Sequence, residues 1–205
     1  MEENLRNCKP IDCDNWYKHI IFILPSYKTK NSIIKNTDFI NTTGISVVNY
    51  EYANFSVINC SFKNGVISAL HVKGSLNLEH SIIENCKFNS KETQRTLGSR
   101  EYSIIYIQNN WKNRKDTKDS HIRNSIFLNC ETFNEHGENS IVSMSGYDKE
   151  GYWRCKIENC RFIKCNVHKG KIINGSGTKL NFWADSIKNF IQEENCEKID
   201  CIIET

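Results

Sequence analysis

Apolar and polar positions recur along this chain in a short phrase whose clearest copies are IENCRF, IENCKF and VINCSF. Aligned on the central asparagine, the copies fall at Asn7, Asn36, Asn59, Asn85, Asn124, Asn159 and Asn195, separated by 29, 23, 26, 39, 35 and 36 residues. Two positions earlier stand Leu5, Ile34, Val57, Ile83, Ile122 and Ile157, with Glu193 in the last copy. One position later come Cys8, Thr37, Cys60, Cys86, Ser125, Cys160 and Cys196. Three positions later come Pro10, then Phe39, Phe62, Phe88, Phe127 and Phe162, then Lys198. A phrase recurring at this interval is the mark of a stacked-repeat architecture.

Parity turns the phrase into geometry. Side chains alternate faces in a strand, yet the aliphatic column and the Cys and Phe columns have opposite parity. Both sets face inward only if the asparagine between them bends the backbone, and asparagine tolerates the left-handed conformation better than other non-glycine residues. Stacked repeats then pile like residues into columns, with a hydrogen-bonded ladder of Asn side chains. A third strand is expected after each phenylalanine, and GISVVN, GVISALHV, YSIIYIQ, NSIVSMS and KIINGS are short and β-branched as it requires.

The expected fold class is therefore all-β: a single-stranded right-handed parallel β-helix of about six to seven coils, three strands to a coil, in one domain spanning 1–205. The layout resembles the pectate-lyase-like superfamily, and CRFIKCNVHKGKIING is similar to the repeats of polymorphic surface proteins, of adhesin type, within it. The leucine columns of the competing horseshoe solenoid are missing.

NCKPIDC at Asn7–Cys13 and NCEKIDC at Asn195–Cys201 carry the repeat close to both ends. Polar caps normally cover a solenoid's ends; without them the chain reads either as part of a longer solenoid or as one that associates end to end. Met1 is followed by Glu2 and Glu3, unlike a secretory signal. The expected location is extracellular or surface-associated for part of a longer chain, and cytoplasmic otherwise.

Composition narrows the chemistry. A net charge of +3 over 205 residues, with signs intermixed, argues against nucleic acid as a partner, and the longest apolar run, Ile20 to Leu24, is too short for membrane insertion. Of ten cysteines, Cys8, Cys60, Cys86, Cys160 and Cys196 fall in one inward column and Cys13, Cys130, Cys165 and Cys201 in another, with Cys155 outside both. They read as free thiols filling the interior rather than as disulfides. No histidine completes a tetrahedral set with the C-x4-C pairs, so neither a metal nor a cofactor is expected. Sequons at Asn41, Asn54, Asn59 and Asn174 assign no compartment, since Asn59 is a ladder residue.

The resemblance implies polysaccharide lyase or glycoside hydrolase activity as one reading. The sharpest lead to it is Asn36-Thr37-Asp38, a fragment of the polygalacturonase signature, but the signature's other parts are missing and Asp38 fits an outward structural position. His71, His80, His121, His136 and His168 read as surface residues, and Glu135 to Glu138 as a loop. The stronger signal lies in the segments after the third strands, which bring Tyr50, Trp111, Tyr147, Tyr152 and Trp153 beside Arg114, Lys115 and Lys149. Aromatic rings with cations suit stacking on sugars and holding carboxylates or phosphates. The expected role is a non-catalytic module of a surface or virion protein, binding glycan or protein there; an end-to-end structural spacer is the third reading.

Overall fold

The structure is a computed structural model that describes residues 4–6, 21–23, 31–41, 45–47, 54–65, 69–89, 103–108, 119–133, 139–145, 155–175 and 191–204. The described residues form 23 strands and no helix, and every strand pairing is parallel.

Four sheets share these strands. The first stacks β3 (Asn31–Lys35), β6 (Asn54–Ile58), β9 (Ser75–Glu79), β13 (Ser120–Arg123), β17 (Cys155–Glu158) and β21 (Ile191–Glu194). The second stacks β1 (Asn4–Arg6), β4 (Asp38–Ile40), β7 (Ser61–Lys63), β10 (Ile82–Glu84), β14 (Ile126–Leu128), β18 (Arg161–Ile163) and β22 (Glu197–Ile199). The third stacks β11 (Lys87–Asn89), β15 (Glu131–Phe133), β19 (Asn166–His168) and β23 (Ile202–Glu204). The fourth stacks β2 (Ile21–Ile23), β5 (Ile45–Val47), β8 (Leu70–Lys73), β12 (Ser103–Gln108), β16 (Asn139–Ser145) and β20 (Gly170–Asn174). From β3 onward the chain visits the sheets in this order, level after level. All five segments expected to be third strands overlap a strand of the fourth sheet.

Bends join the strands. Asn36, Asn59, Asn124, Asn159 and Asn195 have φ between 49° and 53°, the left-handed conformation that parity demanded. Their side chains form rungs, Asn59 Nδ2 donating to Asn36 Oδ1 at 2.8 Å and Asn159 Nδ2 to Asn124 Oδ1 at 3.3 Å. Asn7 lies outside the described residues.

One copy stands elsewhere than expected. At the level of β9 and β10 the first bend is His80, with φ 50°, and Asn85 occupies a second line of bends with Asn41, Asn64, Asn129, Lys164 and Asp200. Asn64 Nδ2 donates to Asn41 Oδ1 (3.1 Å), Asn85 Nδ2 to Asn64 Oδ1 (3.3 Å) and Asn129 Nδ2 to Asn85 Oδ1 (3.2 Å). The second bend creates the third sheet, so three levels carry four strands rather than three.

The phenylalanine column changes accordingly. Phe39 pairs with Phe62, then come Ile83, Phe127 and Phe162. Phe88 sits in the third sheet, in register with Thr132 and Val167. The remaining phenylalanines stack as pairs, Phe39 on Phe62 at 4.8 Å and 8°, and Phe127 on Phe162 at 4.6 Å and 9°. In the first sheet Leu78, not Ile83, continues the inward line of Ile34, Val57, Ile122 and Ile157.

The residue after each bend of the first line is small and can donate a hydrogen bond, for a local reason. Its side chain returns to the carbonyl two residues back, as with Thr37 to Lys35 (2.9 Å), Ser81 to Glu79 (2.9 Å), Ser125 to Arg123 (2.8 Å) and Cys160 to Glu158 (3.3 Å). Cys86 belongs with Cys130, Cys165 and Cys201 after the second bend, not with Cys60 and Cys160. The eight described cysteines are free thiols; Cys8 and Cys13 lie outside the described residues. Burial pushes Cys86 up to about 11, and Cys155 and Cys160 up to about 12. Gly170 follows a third bend at Lys169, where a Cβ would come within 1.9 Å of the Asn139 carbonyl oxygen.

One hydrophobic cluster draws on all four sheets. From β8 to β20 the fourth sheet is buried on both faces: Leu70, Val72, Ile105, Ile107, Val142 and Met144 share one parity, and Ile104, Tyr106, Ile141 and Ile172 the other. His71 lies among the second set, 2% exposed and 5.0 Å from the Tyr106 ring, so it is not the surface residue the sequence suggested.

Candidate functional site

The eight residues singled out as a binding flank, Tyr50, Trp111, Arg114, Lys115, Tyr147, Lys149, Tyr152 and Trp153, lie outside the described residues, as do His136 and Glu135 to Glu138. The strands that flank them are described. Residues 48–53 connect β5 to β6, 109–119 connect β12 to β13, and 146–154 connect β16 to β17. All three segments leave the fourth sheet and enter the first. Their exits, β5, β12 and β16, belong to one stack with β8, and their entries, β6, β13 and β17, to another with β9. Between β8 and β9 the same passage is made by Gly74 alone, at φ 134°, a conformation natural only to glycine.

The outward side chains of the first sheet, whose strands receive these connections, fall into two registered rows. One row runs Ile33, Ser56, Asn77, His121, Lys156, Gln192; the other runs Lys35, Ile58, Glu79, Arg123, Glu158, Glu194. In the second half of the stack the rows knit into an ionic lattice. Arg123 Nε donates to Glu158 Oε2 at 3.0 Å, and Arg123 Nη1 lies 3.7 Å from Glu79 Oε1. Lys156 Nζ bridges Glu158 at 2.7 Å and Glu194 at 2.8 Å.

His121 completes the lattice. Its Nδ1 is 2.9 Å from Arg123 Nη2, and a guanidinium only donates, so Nδ1 accepts and the ring proton sits on Nε2. Burial, then the Arg123 charge, hold His121 below its ordinary pKa, which favours this neutral form. Hydrogen bonding from Lys156 lowers Glu158, and hydrogen bonds to Glu158 and Glu194 raise Lys156. The ordinary effect of such matched charges is a rigid, solvated, internally balanced surface.

The other singled-out residues are placed without such a cluster. Asp38 points outward on β4 and accepts a hydrogen bond from Ser61 on the next strand. His80 is an exposed bend. His168 pairs with Glu204 at 2.9 Å and lies 4.6 Å from the Phe133 ring. Of the sequon residues, Asn59 and Asn41 are rungs, Asn54 accepts from Ser75, and Asn174 is buried. Among the described residues no group of three or more His, Cys, Asp and Glu side chains could hold a metal ion.

The lattice was missed in the sequence although its signal was present. The residue before each bend of the first line reads Lys35, Ile58, Glu79, Arg123, Glu158, Glu194, a column charged at every level but that of Ile58 once the bend at His80 is assigned. No protein-family profile, curated protein or solved structure matches this chain.

Proposed function

We propose that the chain is a right-handed parallel β-helix of pectate-lyase-like architecture that serves as a non-catalytic glycan-recognition module. Parallel strands joined by crossovers favour the right-handed sense, and the four stacks, visited in a fixed order, suit a solenoid. The observation that carries the functional reading is topological. The segments that carry these aromatic and basic residues each connect a strand of the fourth sheet to one of the first, and the strands they join are stacked in register. Aromatic residues in these segments, together with a polar face on the sheet the segments enter, supply the mixture of apolar stacking and directed hydrogen bonds that sugar rings require.

A glycan array probed with the parent chain and with Trp111→Ala, Tyr147→Ala and Trp153→Ala variants tests this. Binding that falls in the variants while their unfolding midpoints stay unchanged supports the reading. Chain cleavage of a bound polymer, followed as new reducing ends or as unsaturated products, overturns the non-catalytic part, and binding to no glycan overturns the whole.

A further inference from the structure

The outer face of the first sheet specifies what kind of glycan fits it. From β9 to β21 its carboxylates are Glu79, Glu158 and Glu194, and its cations are Arg123 and Lys156. Both cations are already engaged, Arg123 by Glu158 and Glu79, and Lys156 by Glu158 and Glu194. Asp119 stands close enough to act on the charge of His121, and Lys35 lies beyond Ile58 at the far end of the row. A polyanion laid here would meet carboxylates in excess and no uncommitted cation. It would have to break buffered ion pairs to bind, and like charges placed opposite one another repel.

What the face does offer is a polar group at each successive strand: Ser56, Asn77, His121, Lys156 and Gln192 follow one another in register. Adjacent strands are about 4.8 Å apart, a spacing on the scale of one sugar unit in an extended polymer. The His121 geometry leaves Nε2–H as the donor not used by Arg123. Carboxylates held rigid by Arg and Lys are strong acceptors for hydroxyl groups, and their ion pairs survive because a hydroxyl brings no charge.

Resting on the glycan-recognition reading above, we infer that the row Ser56–Asn77–His121–Lys156–Gln192 binds an uncharged, hydroxyl-rich polysaccharide lying along the stacking direction, one sugar unit to a strand. The basic residues Arg114, Lys115 and Lys149 then serve the connections and not this row.

Binding of the full chain to a neutral β-glucan, a mannan and a polygalacturonate, measured by calorimetry from 50 to 500 mM salt, tests the inference. The expected result is affinity for a neutral polymer that hardly changes with salt. It falls about tenfold in Asn77→Ala and His121→Ala, the loss of one good hydrogen bond, and is retained in His121→Gln, which keeps an N–H donor. Binding confined to polygalacturonate, weakening with salt and lost in the Arg114→Ala, Lys115→Ala, Lys149→Ala triple variant, overturns the inference and leaves the module reading standing. Binding to none of the polymers, nor to any glycan on the array, overturns both.

Discussion

Asn129 donates its side-chain amide to Asn85 Oδ1 across 3.2 Å, and Asn85 passes the pattern on to Asn64 at 3.3 Å. Asn85 also holds φ at 53°, so two separate costs attach to it. An L-residue in the left-handed region is strained by roughly 1–2 kcal/mol, less for asparagine, and a hydrogen bond contributes about 1 kcal/mol. Asn85→Ala is expected to destabilise by about 1–2 kcal/mol in urea unfolding. Asn85→Gly relieves the strain but loses the rungs, so it should fall between alanine and the parent. Equal effects of the two would remove the backbone contribution.

Phe88 and Phe62 share a position in the phrase but not a column. Why the sequence misplaced Phe88 is a matter of period: within a level the motif recurs every five residues, since Ile122, Phe127 and Thr132, or Ile157, Phe162 and Val167, are successive inward residues. Since these are equivalent inward positions one bend apart, each bend adding a small buried residue such as Ser125 or Cys130 between them, a slip of five costs nothing in the pattern, and at this level the first bend is His80, which no Asn signal marks. The bends at Asn36, Asn59, Asn124, Asn159 and Asn195 were legible because parity left no other solution. The third sheet was not, because its bends at Lys164 and Asp200 lack the asparagine. The eight residues named as a binding flank lie outside the described residues, where only the strands on either side of them are placed.

Double-mutant cycles read the register directly. Phe39 and Phe62 are in contact, so alanine substitutions at the two should couple by 0.5 kcal/mol or more, about the threshold seen for touching residues. Each single change should cost about 3–5 kcal/mol. Phe62 and Phe88 should show markedly weaker coupling in the same equilibrium unfolding assay; coupling equal to that of Phe39 and Phe62 would restore the single five-membered column.

Thr132 is an inward residue between Phe88 and Val167, and its hydroxyl oxygen is buried with no hydrogen-bond partner among the described residues. An unsatisfied buried hydroxyl costs about 1–3 kcal/mol. Thr132→Val keeps the shape and removes the polar atom, so the expected outcome is a rise in stability of about 1 kcal/mol and a higher Tm. Thr132→Ser, which keeps the hydroxyl and loses a methyl, should lower the Tm.

The buried thiols set an alkaline limit. Cys155 and Cys160 are pushed up to about 12 and Cys86 to about 11 by burial, from an ordinary value of 9.0. In the unfolded chain these groups ionise first, so between pH 9 and about 12 the folded state binds more protons and stability falls as pH rises. Below pH 9 the contribution is fully present. Each fully buried thiol adds a slope of roughly 1.4 kcal/mol per pH unit within its window, and Cys155→Ala should flatten the pH dependence while costing some packing. At neutral pH the same thiols should react with a disulfide reagent only as fast as the chain opens.

Glu193 and Lys198 continue inward lines that Ile157 and Phe162 occupy one level earlier, and they pair with each other at 2.7 Å. Both are partly exposed, so the pair itself adds little to stability, in the range below about 1 kcal/mol. Its effect is instead to put charge where two apolar columns would otherwise meet solvent. Beside it the edges of β21, β22 and β23 carry no further strand among the described residues, and such edges recruit other chains unless charge guards them. The double variant Glu193→Ile, Lys198→Phe restores the apolar columns at the same positions. It is expected to leave the unfolding free energy within about 1 kcal/mol of the parent while raising the sedimentation coefficient with concentration more steeply. An unchanged concentration dependence would mean that the ion pair does not guard this face.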